Sequence, residues 1–250
     1  MKRFAFLVVL SLHANLACAQ MIINAEESRF RTDSMGWTGT ASIGFTFNKE
    51  TNATYRFAAE SQLQHKSKKN LWLILGKYSF LEAGSSRFVN RGFVHLRYNR
   101  KLGSIFRWEI FNQLQTNRVL KVDKRYLAGT GPRIKFLDSE KLRLYLGILY
   151  MFEWEKIIEP SEVQRNHRMS SYLSVTEGIG KSFTLSSTWY YQPRLDLFSD
   201  YRIAGNVKLD FAITKAIHFI NSFDYLHDSR PAFAIPVEVY SMSNGIEILF

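Results

Sequence analysis

Polar and apolar positions along this chain alternate with a period of two. From Trp37 to Phe47 the odd positions are Trp37, Gly39, Ala41, Ile43, Phe45 and Phe47; the even ones are Thr38, Thr40, Ser42, Gly44 and Thr46. Successive side chains of a strand point to opposite faces, so this segment has one apolar face and one polar face, whereas a helix would mix the two sets. The pattern recurs where Phe106, Trp108, Ile110 and Leu114 alternate with Arg107, Glu109, Gln113 and Gln115. Leu142, Leu144, Leu146, Ile148, Tyr150, Phe152 and Trp154 then face away from Arg143, Tyr145, Gly147, Glu153 and Glu155. Later Tyr201, Ile203, Val207, Leu209 and Phe211 oppose Arg202, Asn206, Lys208 and Asp210.

Read to the end, the alternation predicts about 12 strands, near 36–48, 53–65, 70–80, 88–99, 104–115, 125–137, 142–155, 168–177, 182–193, 200–213, 217–227 and 237–250. The fold class expected is all-β, an antiparallel up-and-down transmembrane β-barrel. Alternate connections at 100–103, 138–141, 178–181 and 214–216 are short; those at 116–124, 156–167 and 228–236 are longer. Short periplasmic turns and longer outer loops are the rule for such barrels. The segment 65–70 fits less well. A water-soluble barrel or sandwich would show the same alternation with the apolar face turned inward, and the pattern alone leaves both readings open.

The chain ends sharpen the choice. Lys2 and Arg3 precede an apolar core from Phe4 to Leu12, and Ala17-Cys18-Ala19 is a small-residue cleavage motif. This order is that of a secretory signal peptide over residues 1–19, with an apolar core too short to span a bilayer as a helix. Lipoprotein processing at Cys18 is a rival, weakened by Asn15 where a branched apolar residue is wanted. Residues 20–35 form an N-terminal periplasmic segment and 36–250 the barrel. At the other end Ser243, Gly245, Ile248 and Phe250 have the spacing of a C-terminal signal for the barrel assembly machinery.

Composition supports export to a membrane. There are 12 Tyr, 20 Phe and 5 Trp against only 5 Pro, and aromatics favour both strands and membrane interfaces. After residue 20 no apolar segment has helix length, so a crossing must use a closed barrel, which pairs every backbone polar group. Cys18 is the only cysteine, so a mature chain cut after Ala19 carries no disulfide. The formal net charge is +11, or +9 without Lys2 and Arg3. Export argues against nucleic acid as the partner of this charge. Outer-membrane lipid, anionic lipopolysaccharide or a small anionic solute are the partners it suggests. The expected location is the outer membrane of a Gram-negative bacterium.

Several segments carry a family resemblance. Gly92-Phe93-Val94-His95-Leu96-Arg97-Tyr98-Asn99 is followed by Lys101-Leu102, and Leu127-Ala128-Gly129-Thr130-Gly131-Pro132-Arg133 comes later. Gly147 with Tyr150, Glu153 and Glu155, then Phe198-Ser199-Asp200-Tyr201-Arg202 and Asp228-Ser229-Arg230-Pro231, complete the set. Together these resemble the salt-induced outer-membrane protein family, a group of uncharacterised function, over residues 36–250. The resemblance implies an outer-membrane barrel and brings no catalytic residue with it.

Candidate chemistry is sparse. A lipid-modifying barrel enzyme would need Ser and His within hydrogen-bond reach, and the nearest pair is His167 and Ser171. Four residues apart on one strand, they are separated by ~13 Å at ~3.3 Å per residue. No enzymatic activity is therefore expected, and the histidines read as polar lining. Asp224, His227 and Asp228 cluster near an outer loop without metal-ligand spacing. No metal and no cofactor are expected. The charges on the polar face are the candidate lumen lining: Arg56, Glu60, His95, Arg97, Arg107, Glu109, Arg133, Lys135, Arg143, Glu153 and Lys208. They would either pair into a network that fills the barrel, giving a non-enzymatic envelope component, or line a narrow anion-preferring channel.

Overall fold

Period-two segments become twelve antiparallel strands, each paired with its neighbours in sequence in the order β1 to β12. They are β1 (Gly36–Lys49), β2 (Ala53–Lys66), β3 (Asn70–Ala83), β4 (Ser86–Lys101), β5 (Phe106–Asn117), β6 (Val122–Asp138), β7 (Leu142–Ile157), β8 (Glu162–Ile179), β9 (Phe183–Pro193), β10 (Tyr201–Ala212), β11 (Ile217–Asp228) and β12 (Glu238–Ile248). The structure is a computed structural model that describes residues 29, 35–49, 52–84, 86–139, 141–180, 182–214 and 216–248. The signal segment 1–19, nearly all of 20–35 and Phe250 lie outside the described residues.

Ten of the strand positions agree with the alternation to within a few residues. The exceptions are β6, which starts at Val122, and above all β8, which starts at Glu162 rather than near 168. The connections read as long at 116–124 and 156–167 therefore shrink to 118–121 and 158–161, and only 194–200 and 229–237 remain long at that end. Glu162 to His167 is polar at nearly every position, which resembles a loop. The partner strand decides otherwise, because Trp154 opposite Arg165, Lys156 opposite Val163 and Ile157 opposite Glu162 continue the ladder. At 118–121 the chain turns tightly: the Asn117 side chain accepts from the Leu120 amide at the start of a single 3-10 turn, and Lys121 closes it at φ 58.

Burial is inverted relative to a water-soluble protein. Large apolar side chains on alternate positions are exposed, among them Ile43 (79%), Phe45, Ile110, Leu114, Ile148, Leu173, Met242 and Ile246. The positions between them bury Arg97, Glu109, Arg125, Arg133, Glu153, Glu155, Arg168 and Arg202. A monomer in water does not expose apolar faces on strand after strand, whereas lipid requires it. The alternative left open by the pattern, an inward apolar face, is excluded by this arrangement.

Aromatic rings collect towards both ends of the outer face. Trp37 packs on His65 at 4.7 Å and Trp72 on Tyr98 at 4.5 Å near the short-turn end. Phe47 with Tyr55, and Tyr191 with Tyr201, lie near the other. Trp189 sits further down the wall, opposite Leu173 and Gly205. Gly205 provides its space, since a Cβ there would lie 2.3 Å from the indole.

Candidate functional site in the barrel interior

Inward-facing charges of β6, β7, β8 and β10 meet near the end that carries the 194–200 and 229–237 connections. Glu153 on β7 is at the centre. Its carboxylate accepts from Arg125 Nε at 2.6 Å, from Arg168 Nε at 2.7 Å, from Asn166 at 3.3 Å and from Arg202 Nη1. Arg202 also donates to Glu155 at 3.0 Å and to Asp228 at 2.8 Å. Arg168 reaches Asp200 Oδ1 at 2.9 Å and the Gln192 carbonyl at 3.0 Å. Arg194 reaches Asp200 Oδ2 at 3.1 Å. Four arginines (125, 168, 194 and 202) thus face four buried carboxylates (153, 155, 200 and 228), and the exposed Asp196 adds a fifth carboxylate at the rim. Desolvating single charges costs several kcal/mol each, and only such mutual pairing offsets it.

Outside the strands, Arg194 donates to Asp196 at 2.6 Å. That hydrogen bond holds the Asp196 carboxyl below its ordinary range and raises the Arg194 guanidinium above its own.

A second cluster lies further down the interior. Arg97 on β4 pairs with Glu109 on β5 at 3.2 Å and lies 5.8 Å from the Tyr172 ring on β8. Tyr172 donates to Glu109 Oε2 at 2.9 Å. Two strands, β6 and β7, lie between β5 and β8, so this bond spans the interior between walls that are not neighbours. Gly147 makes the reach feasible: a Cβ there would lie 2.1 Å from the Tyr172 ring. Gly129 likewise accommodates Phe111, whose ring would stand 2.3 Å from a Cβ. His95 meets Gln113 through Nδ1 at 2.8 Å and accepts from Arg97 at Nε2, 3.3 Å. The cavity among His95, Arg97, Glu109, Tyr172 and Gln192 has a free volume of about 20 Å³, enough for about one water.

The sequence candidates divide into four groups. Glu153 belongs to the first cluster, and His95, Arg97 and Glu109 to the crossing cluster. Arg107, Arg133, Lys135 and Arg143 gather at the short-turn end. There Arg133 lies 4.1 Å and Arg107 5.6 Å from the centre of the Tyr145 ring, while Asp138 takes Lys135 at 3.1 Å and Arg143 at 3.5 Å. Arg56 and Glu60 lie on the exposed inner face of β2, where Glu60 pairs with Lys77 at 3.5 Å, and Lys208 faces inward between Ser186 and Ser222. These three join none of the clusters described.

Sequence reasoning missed Arg125, Glu155, Arg168, Arg202, Asp200, Asp228 and Tyr172 as site residues. Strand parity would have placed Arg125, Arg168 and Arg202 inside, but two of them stand where strands were expected to begin. The motifs that carried the family resemblance hold most of the cluster: Glu153 and Glu155, Asp200 and Arg202, and Asp228.

The histidines are not all polar lining. His95 and His218 face inward, His218 against Asp210 at 2.7 Å. His65 and His167 stand on the outer wall among aromatic rings, and His227 stacks on Tyr201 at 5.4 Å. His167 bonds the Tyr150 hydroxyl at 2.5 Å rather than a serine. The Asp224, His227 and Asp228 cluster is split by alternation: Asp224 takes Asn206 and Asp228 takes Arg202 inside, while His227 points out. Among the described residues no group of His, Cys, Asp and Glu could hold a metal ion. At the C-terminus Ser243 and Gly245 lie on the inward face opposite Ser222 and Ile220, and Ile248 points outward.

A single up-and-down sheet of twelve strands, apolar outside and charged inside, defines the class as an outer-membrane β-barrel. The fold is shared with the NanC porin at TM-score 0.50 and 13% identity, covering 84% of this chain and 99% of that one. The KdgM porin (TM-score 0.46, 14% identity, 84% and 99% covered) and LpxR from Salmonella typhimurium (0.41, 8%, 79% and 88%) are further structures similar to it. The chain belongs to the family described as "Protein of unknown function, DUF481", whose model matches residues 41–237. No curated protein matches the chain.

Proposed function

We propose that this protein is a non-enzymatic component of the Gram-negative outer membrane whose barrel is sealed by its own charges near the long-loop end. The observation that supports this most is Glu153, held by arginines from three strands within a buried, mutually paired cluster. Beneath it the Tyr172–Glu109 bond ties β8 to β5 across two intervening strands. An open diffusion pore keeps a water-filled interior instead. Export by the signal peptide, insertion by the barrel assembly machinery and contact with lipopolysaccharide complete the reading. The salt-linked family resemblance adds the expectation that the amount of this protein rises with external salt.

A second reading, a narrow anion channel, rests on a different observation. The inward residues Thr40, Ser42, Arg56 and Glu60 of β1 and β2, and Ser243 of β12, are exposed or partly so. A passage would run along that wall. Planar-bilayer conductance of the refolded protein decides between the two. The sealed barrel gives no discrete steps, and Glu153→Gln, which loosens the cluster, raises conductance. Steady anion-selective steps from the unaltered protein would overturn the sealed reading in favour of the channel.

A further inference from the structure

The outer wall at the long-loop end is not alike all round. There β6, β7 and β8 each place one fixed cation on the outward face: Lys124, Lys156 and Arg165. At the same end β9, β10 and β11 carry Tyr191, Tyr201 and His227 outward instead. Lys124 and Lys156 are register partners, so their side chains leave the sheet side by side. Arg165 is the register partner of Trp154, two positions from Lys156, and so stands diagonal to that lysine. Like charges directly opposite on neighbouring strands destabilise a sheet, and diagonal neighbours are within reach of long side chains.

The carboxylates nearby relieve little of this repulsion. Asp123 takes Lys156 at 3.3 Å and Arg118 at 4.0 Å, Glu159 takes Lys121 at 3.1 Å, and Asp196 takes Arg194 at 2.6 Å. Glu162 shares the inward parity of Asn166 and Arg168 and accepts from Gln164. Among the described residues Lys124 and Arg165 make no ion pair, and both are exposed.

Toward the middle of the wall the same three strands carry rings. Tyr126 is the register partner of Trp154, Phe152 lies 5.5 Å from the His167 ring, and His167 bonds the Tyr150 hydroxyl. Ile148 and Leu173 continue the exposed apolar surface below them. An aromatic belt marks the level where acyl chains give way to headgroups. Lys124 and Lys156 stand two residues beyond Tyr126 and Trp154, ~7 Å further along the strands and at headgroup height. From β6 to β8 the cations span two strand spacings, ~10 Å. A row this wide matches a headgroup with phosphates at both ends of a sugar pair better than a single phosphodiester. Arginine grips phosphate oxygens in pairs, and lysine meets them as a point charge.

We infer that this patch docks the phosphorylated sugar headgroup of lipopolysaccharide, with its acyl chains on the rings below. The inference rests on the outer-membrane reading and gives the lipopolysaccharide contact a place on the wall.

The test is native mass spectrometry of the full chain, folded in a neutral maltoside detergent and titrated with diphosphorylated lipid A, the acylated sugar pair of lipopolysaccharide. One saturable adduct is expected, held at least ~10-fold more tightly than phosphatidylglycerol or dephosphorylated lipid A. The Lys124→Gln/Arg165→Gln double variant loses ~10-fold or more in affinity. Lys124→Gln alone gives a smaller loss. Because it relieves the like-charge pair, it leaves the lipid-free barrel no less stable to urea, which separates lost binding from lost folding. Arg100→Gln, on the outward face at the other mouth, leaves affinity unchanged. No saturable adduct, or binding unaffected by both the double and single variants, overturns the site. Phosphatidylglycerol held as tightly as lipid A assigns the patch to anionic lipid at large and overturns the lipopolysaccharide assignment. Inorganic pyrophosphate that displaces lipid A at equal concentration assigns it to a soluble anion and overturns it too. Conductance of the same preparation is read separately. A conducting barrel that binds lipid A keeps the site and removes the seal, while a silent barrel that binds none removes the site alone.

Discussion

At one end of the barrel the inward arginines bind carboxylates, and at the other two of them lie over a tyrosine ring. Around Glu153 each inward arginine meets a carboxylate from a neighbouring strand, so the cluster is complete without anything from outside. Around Tyr145 the same residue types gather on adjacent strands, but there Asp138 takes Lys135 and Arg143 while Arg107 and Arg133 lie over the ring. The strands are the same and so is their parity. What differs is which residues occupy the inward positions as β6 and β7 pass from one mouth to the other. Buried charges such as those around Glu153 need partners of opposite sign, whereas the half-exposed Lys135 and Arg143 are screened by water.

That contrast can be broken most sharply at its centre. Glu153→Ala leaves Arg125, Arg168 and Arg202 without their shared acceptor, and the folded barrel should lose about 3–5 kcal/mol. Urea titration, following the folded band on unheated gels, measures it; a change below ~1 kcal/mol would mean that solvent already neutralises the cluster. Tyr172→Phe removes only the hydroxyl that crosses to Glu109 and should cost ~1.5–3 kcal/mol in the same titration, with conductance rising if this bond helps to close the interior. Gly147→Ala tests the same crossing from below. Its methyl would displace the Tyr172 ring, at ~1–3 kcal/mol, and pairing it with Tyr172→Ala should recover part of the loss.

The exposed pair Glu60–Lys77 sets the lower limit. Lys77→Gln should change stability by less than ~1 kcal/mol, because both side chains are more than a third exposed and solvent screens them. Smallest of all is the Arg194–Asp196 contact in the 194–200 connection. The Asp196 pKa is lowered in the fold, so any stability it adds is present above the unfolded carboxylate pKa and fades as pH falls through the folded one. Asp196→Asn should therefore lower stability slightly at neutral pH, leave it unchanged below the folded pKa, and so flatten the acid limb of the stability curve.

Much of the wall was legible in the chain. Alternation at Trp37 to Phe47 and at Leu142 to Trp154 gave both faces of β1 and β7, and the short turns near 102–105 and 139–141 fell where expected. The polar run from Glu162 to His167 was not legible, because its strand character comes from pairing with β7 and from the outer-wall rings around His167. The candidate site was half visible: Glu153, Arg97 and Glu109 were named, but Arg125 and Arg168 were lost at uncertain strand starts. Family-like motifs around Asp200 and Asp228 marked the right segments without saying that they meet.

Apart from the start of β8, strand positions and side-chain parity, and hence which charges point inward, could be read from the chain, because parity follows from the local geometry of an extended backbone. Which inward charges touch depends on the folded sheet. Register sets the height of Arg202 against Glu153, and the curvature of the sheet brings Tyr172 of β8 to Glu109 of β5. Neither quantity is local to any strand. For the same reason the folded sheet turned one list of inward charges into a paired cluster at one mouth and a ring-stacked group at the other.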